Sequence, residues 1–188
     1  DVYVGVGVGA PFGLKTEYDA PWIGAAQSTL FEIKTYNVNP SLAYRVNERL
    51  SLGVGVNWQR LEANYDRQAT TTPAGSRVPV KLALDDAAWG WNAGALLTLS
   101  PTTKVGASYR SAIKYHTSGK LDVNNGAAGS GDASADLKLP DTFIVSLAQR
   151  VGERWELLGD VSWTGWSSIP KVDIMRSNGT LAQTLDTD

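Results

Sequence analysis

Five basic residues, Arg45, Arg67, Arg110, Lys114 and Arg150, are the side chains in this sequence best suited to chemistry on a ligand. A guanidinium can offer two parallel N–H bonds to both oxygens of a carboxylate, so an arginine set apart from acids is a natural anion site. Glu62, Glu156 and Asp160 could neutralise these cations instead, and the sequence leaves both readings open. The single histidine, His116, lies among glycine, serine and aspartate and reads as a solvated residue rather than a catalytic base. Asp85-Asp86 could offer oxygen ligands to a hard cation, but the spacing matches no calcium loop. There is no cysteine, which excludes disulfides, thiolate metal sites and a cysteine nucleophile. The expectation is therefore no enzyme, no cofactor and no metal. A net charge of -2 gives no basic footprint for nucleic acid.

The elements that carry these residues are strands. The clearest is the hairpin from Asn37 to Trp58, turning at Asn47-Glu48-Arg49. On its far side Leu50, Leu52, Val54, Val56 and Trp58 alternate with Ser51, Gly53, Gly55 and Asn57. On its near side Val38, Pro40, Leu42, Tyr44 and Val46 alternate with Asn37, Asn39, Ser41, Ala43 and Arg45. A strand sends alternate side chains to opposite faces, so each has one apolar face and one small or polar face. In a membrane barrel the apolar face meets lipid and the other looks into the lumen. On that reading Leu52, Val54, Val56, Leu97 and Val145 face lipid. Gly53, Asn57, Asn92 and Arg110 face the lumen, and Arg45, Lys114 and Arg150 share their faces.

In chain order, Val2–Val8 is a strand that fails at Ala10-Pro11-Phe12-Gly13, because proline has no N–H for a ladder. A polar loop to about Gln27 precedes the hairpin, whose second strand runs toward Tyr65. Arg67–Asp85 reads as loop, and a strand follows from Trp89 to Leu99. The next strand places Val105, Ala107, Tyr109 and Ile113 on its apolar face. His116–Lys138 reads as a solvated loop, Phe143–Val151 and Trp155–Trp163 as a hairpin, and the pattern fades after Trp166. Short turns at Asn47–Arg49, Ser100–Thr103 and Gly152–Arg154 alternate with long connections, the rim asymmetry of outer-membrane barrels. Aromatics gather near strand ends: Tyr44 and Trp155 by the short turns, and Trp58, Trp91, Tyr109 and Trp163 toward the long loops.

No stretch reads as a transmembrane helix; the run Val2–Leu14 is interrupted by glycines and a proline. The chain opens inside a strand pattern and reads as a piece of a longer protein. A soluble β-sandwich that binds a ligand or partner is the alternative from another class, since apolar alternation alone is not membrane-specific. A lipid-modifying enzyme on a membrane barrel is a second. Glycine rows such as Gly5, Gly7, Gly9 and Gly53, Gly55 weigh against a solvent-facing sandwich surface.

Several segments carry a family resemblance. They are Ala10–Tyr18, Asn39–Asn47, Trp89–Gly94, Tyr109-Arg110-Ser111, Leu139–Phe143 and Trp155–Trp166. In this order the sequence resembles the FadL/TodX family of outer-membrane transporters of hydrophobic compounds. The resemblance implies an all-β fold, a 14-stranded antiparallel transmembrane barrel plugged by an N-terminal hatch. Residues 1–188 would form about seven strands of it, roughly the third to ninth, without the hatch, the first strands or the C-terminal strands. It also implies passive import of long-chain fatty acids or aromatic hydrocarbons by a barrel that is monomeric when complete and surrounded by outer-membrane lipid. Ligand would leave sideways where an inward kink of the third strand opens the wall, here Gly9, Ala10, Pro11, Phe12 and Gly13. Arg67 lies near the position where fatty-acid members carry a basic residue; Asn57, Asn92 and Arg110 join it as candidate substrate contacts. The Arg67–Asp85 segment has no helical periodicity, unlike the helix-bearing outer loops of many fatty-acid members.

Overall fold

The computed structural model describes residues 1–19, 21–70, 76–166, 171–176 and 179–186. Twelve antiparallel segments form one sheet. They are β1 (Val2–Gly9), β2 (Gly13–Glu17), β3 (Leu30–Arg45), β4 (Leu50–Thr70), β5 (Arg77–Ser100), β6 (Thr103–Arg110), β7 (Ile113–Val123), β8 (Gly131–Leu139), β9 (Thr142–Val151), β10 (Trp155–Thr164), β11 (Lys171–Arg176) and β12 (Leu181–Asp186). No α-helix occurs among the described residues. Several segments are halves of one crossing. β1 and β2 both pair with β3, β6 and β7 both pair with β5, and β8 and β9 pair with β7 and β6. The seven expected crossings are present, and β12 adds a short further strand against β11.

Two expected loops are largely strand and a third is strand in part. Gly13–Glu17 is β2, β4 and β5 extend to Thr70 and from Arg77, and β7 and β8 fill most of His116–Lys138. Part of the connection between β4 and β5, residues 71–75, lies outside the described residues. The sequence after Trp166 likewise forms β11 and β12. The polarity of these stretches suggested loops because their pattern is inverted relative to the hairpin.

β4 shows the inversion within one strand. From Leu50 to Trp58 its outward positions are Leu52, Val54, Val56 and Trp58, all exposed, and its inward positions are Ser51, Gly53, Gly55 and Asn57. Beyond Trp58 the outward residues are Arg60, Glu62, Asn64 and Asp66, while Leu61 and Tyr65 are buried inward. A tilted strand needs about 9–11 residues to cross the hydrocarbon, which matches the lower half. An outward row runs unbroken through Val4, Leu42, Val54, Ala93, Tyr109, Phe143 and Trp163. Val4 is 83% exposed and Val161 76%, values suited to a lipid-facing surface. Trp58 pairs with Trp89, and the Trp91 and Tyr109 rings lie 5.2 Å apart, so the aromatics form a girdle at the inversion.

Above the girdle the outside is charged and the inside is a true core. Tyr65, Leu82, Leu84, Ala133, Ala135 and Ile174 make one cluster; Leu61, Ile113, Tyr115 and Leu139 make another just below. The outward face carries Arg60 bridged to Asp85 at 3.1 Å and to Glu62 at 3.4 Å, and Lys34 bridged to Glu32 at 2.9 Å. Glu62 therefore serves Arg60 outside and does not neutralise a lumen cation. Lys114 also departs from its expected face: Ile113 and Tyr115 are buried inward and Lys114 is exposed outward.

The reason is an extra residue. Between the Asn92–Arg110 and Asp85–Ser118 pairs, β5 advances seven residues and its partner strand eight, so the face of every later side chain flips. The Ser111 hydroxyl accepts from the Trp91 N–H at 2.9 Å and the Ser111 N–H donates to the Trp91 carbonyl at 2.9 Å, closing the step. Asp86 accepts the N–H of His116 at 2.8 Å. His116 sits in β7, outward, with Nδ1 2.7 Å from a carboxylate oxygen of Asp136.

The face assignment makes a direct prediction. In the full-length protein, Val54→Arg should destabilise the barrel in lipid vesicles by about 2–4 kcal/mol, the cost of an arginine facing lipid near the midplane. Gly53→Arg should be far milder, since a Cβ there meets nothing closer than the Leu42 carbonyl oxygen at 3.7 Å. Equal denaturant midpoints for the two variants would reverse the assignment.

Candidate functional site

On the lumen face at the level of the girdle, one row reads Gly5, Ser41, Gly55, Asn92, Arg110, Thr142 and Thr164 across seven strands. The next row brings Asn39 and Asn57 beside it. These residues meet because each strand's period of two returns a polar residue to the same face at the same height. Arg110 Nη2 donates to Asn57 Oδ1 at 2.6 Å. Asn37 and Asn39 donate to the same oxygen at 3.3 and 3.1 Å. Asn92 Oδ1 accepts from Asn39 at 2.7 Å and from Asn57 at 3.0 Å. Arg110 forms no ion pair among the described residues, and its Nε is buried without a partner. A half-buried guanidinium held by amides alone keeps most of its charge available to an anion.

Directly beside this cluster the wall is interrupted. β1 ends with Gly9 opposite Asn37 and β2 begins with Gly13 opposite Lys34, four steps against three. The extra residue makes a bulge at Ala10-Pro11-Phe12 and reverses the faces, so Val2–Val8 alternate outward while Leu14 pairs beside the inward Ile33. Buried Thr35 spans the gap: its Oγ1 accepts the Phe12 N–H at 3.0 Å and donates to the Phe12 carbonyl at 2.5 Å. Gly9, Ala10, Pro11 and Phe12 line a cavity of about 620 Å³ together with Asn37, Asn39, Asn57, Asn92 and Arg110. Three of the four expected contact residues and the expected opening thus share one space, with Gly13 at the start of the strand above it.

Arg67 is elsewhere. It lines a smaller cavity of about 190 Å³ near the outer loops, with Tyr65, Val80, Leu82, Leu121, Ile174 and Arg176. Arg45 lies 3.7 Å from Asp1 at the short-turn end, its guanidinium over the Tyr3 ring. Sequence reasoning did not single out Asn37, Asn39 and Thr35 as site residues. Their period-two spacing on the Asn57 face was the available signal.

Gly55 is the keystone of the cluster. A Cβ there would lie 2.8 Å from both Asn39 Nδ2 and Asn92 Oδ1, so only glycine lets that pair close. Gly55→Ala should lower unfolding stability by about 0.5–1.5 kcal/mol, one side-chain hydrogen bond. Gly53→Ala, with ordinary contacts, should change it little. Denaturant titration of both variants in detergent checks this.

An antiparallel sheet with a lipid-facing apolar band, an aromatic girdle and a polar lumen face is part of a transmembrane β-barrel wall. A family model described as "Outer membrane protein transport protein (OMPP1/FadL/TodX)" matches residues 1–187, and the chain belongs to that family. It is 28% identical over 209 residues to outer membrane protein P1 of Haemophilus influenzae, covering 94% of this chain and 45% of that protein. It is 26% identical over 219 residues to the long-chain fatty acid transport protein of Escherichia coli K12, covering 93% and 49%. Among solved structures, a Pseudomonas aeruginosa FadL homologue superposes with a TM-score of 0.89 at 19% identity, over 98% of this chain and 50% of that one. The Pseudomonas putida toluene transporter TodX gives 0.61 at 16%, over 93% and 53%. At these identities the superpositions establish the fold. The chain spans about half the length of the relatives it matches.

Proposed function

We propose that the full-length protein passes hydrophobic small molecules, foremost long-chain fatty acids, passively across the outer membrane, and that they leave sideways through the wall at Gly9–Gly13. The observation that carries this reading is the shared cavity. It joins a bulge in the wall to an arginine held only by amides. An amphipathic acid would place its carboxylate on Arg110 and Asn57 or Asn92, and its chain against Val8, Pro11, Phe12 and Ile144. In this reading Arg67, in its apolar pocket with Arg176, is the earlier capture point near the outer loops. The names of the relatives support hydrophobic cargo in general, a fatty acid in one and toluene in another. The two arginines favour the acid, because a neutral hydrocarbon gains nothing from them.

That preference is measurable. In the full-length protein, Arg110→Met and Arg67→Ala should each weaken binding of a long-chain fatty acid by about 1.5–3 kcal/mol, the scale of a hydrogen bond to a charged group. Binding of a neutral alkane should hardly move. A parallel loss for both ligands would make these arginines structural, and no loss for either would remove them from the site.

The exit has its own test. Ala10→Arg would fill the bulge with bulk and should abolish uptake by cells while ligand binding and the heat-modifiable gel shift of the folded barrel persist. Uptake equal to wild type at equal surface expression would exclude lateral exit here and favour a path straight through to the periplasm.

A further inference from the structure

We propose that Lys114 and Lys138 form a docking site for a phosphate group of an outer-leaflet phosphorylated glycolipid. The two residues are register partners on β7 and β8, so two ammonium groups stand directly opposite each other on the outward face. Like charges in that position destabilise a sheet unless something bridges them. The nearby acids are engaged elsewhere. Asp136 holds His116 at 2.7 Å, Asp85 holds Arg60 at 3.1 Å, Asp86 accepts the His116 N–H at 2.8 Å, and Asp141 accepts the Tyr109 hydroxyl at 3.1 Å. Neither lysine is in an ion pair among the described residues. Lys120, by contrast, is the register partner of Asp132.

Height above the membrane selects the partner. The outward row Tyr109, Phe143 and Trp163 marks the interface. Lys114 lies five residues above Tyr109 and Lys138 five before Phe143. Five residues of strand tilted by ~45° rise roughly 12 Å, and lysine stems can bend back toward the interface. That puts the ammonium pair in the headgroup layer. A phosphate monoester carries about -1.5 to -2 charges at neutral pH, which matches two lysines where a single carboxylate would not. The bare aromatic and aliphatic wall below would receive the acyl chains of the same molecule. The site follows from the family's place in the outer membrane and from the register, and it is independent of what the lumen carries.

The test uses the full-length protein, purified from detergent after equilibration with bisphosphorylated glycolipid, the same glycolipid with phosphates removed, or inorganic phosphate. Lys114→Gln/Lys138→Gln should retain at least tenfold less phosphorylated glycolipid by mass spectrometry, at equal folded fraction by heat-modifiable migration. Lys120→Gln should match wild type. Lys138→Glu gives a second readout that a folding defect cannot mimic. In zwitterionic detergent it should raise Tm by removing the repulsion, whereas in phosphorylated glycolipid wild type should be the more stable. Equal retention by wild type and the double variant, or equal retention of the dephosphorylated lipid, overturns the proposal. Full displacement by millimolar inorganic phosphate overturns it in favour of a free-anion site.

Discussion

The structure is governed by one requirement: within a bilayer each backbone N–H and C=O needs a partner inside the protein. That requirement favours an unbroken ladder through the lower half of the wall and makes any interruption costly. Two of the interruptions are each bridged by a single hydroxyl-bearing residue. Thr35 serves both backbone groups of Phe12, and Ser111 serves both of Trp91. Each hydroxyl gives a partner to a backbone group that the bulge would otherwise leave orphaned. Each bulge also depends on one side chain rather than on a run of ladder bonds.

The lower half of the fold was legible because a single rule governs it. Lipid outside demands apolar residues at every second position, and Leu50–Trp58 and Trp89–Leu99 obey throughout, as does Trp155–Trp163 apart from Gly159. The upper half is harder to read because the same period of two carries the opposite sign. His116, Lys120, Asp132 and Asp136 face water while Ala133 and Ala135 face the core, and the high polar content resembles loop. The alternation of Val80, Leu82 and Leu84 with Lys81 and Ala83 was present in the sequence. It gains meaning only once the solvent on the outer face is known to have changed. Lys114 was misplaced for a different reason. An inserted residue at Ser111-Ala112 leaves no compositional trace, because its effect is on register and register is a property of two strands.

Of the site, Asn57, Asn92 and Arg110 could be assigned to one face by parity alone. That they converge on two shared oxygens could not, since it depends on the stagger of β3, β4, β5 and β6. Gly55 shows how composition and geometry connect. Its place in the sequence looked like a small lumen residue, and its actual role is to leave room for the Asn39–Asn92 bond.

The inversion also bears on the proposed route along this part of the wall. The cavity with Arg67 and the cavity with Arg110 lie on opposite sides of the layer formed by Leu61, Ile113, Tyr115 and Leu139. Ten residues of β4 separate Arg67 from Asn57, roughly 33 Å of strand. Moving an ionised carboxylate through an apolar layer without a partner costs several kcal/mol or more. A tail crosses the same layer at little cost. On the proposed route, then, a fatty acid either crosses protonated or advances tail first while its head stays at Arg67. The second course postpones the crossing of the charge, and it delivers the apolar end toward the bulge at Gly9–Phe12 while the head is still held in the outer pocket.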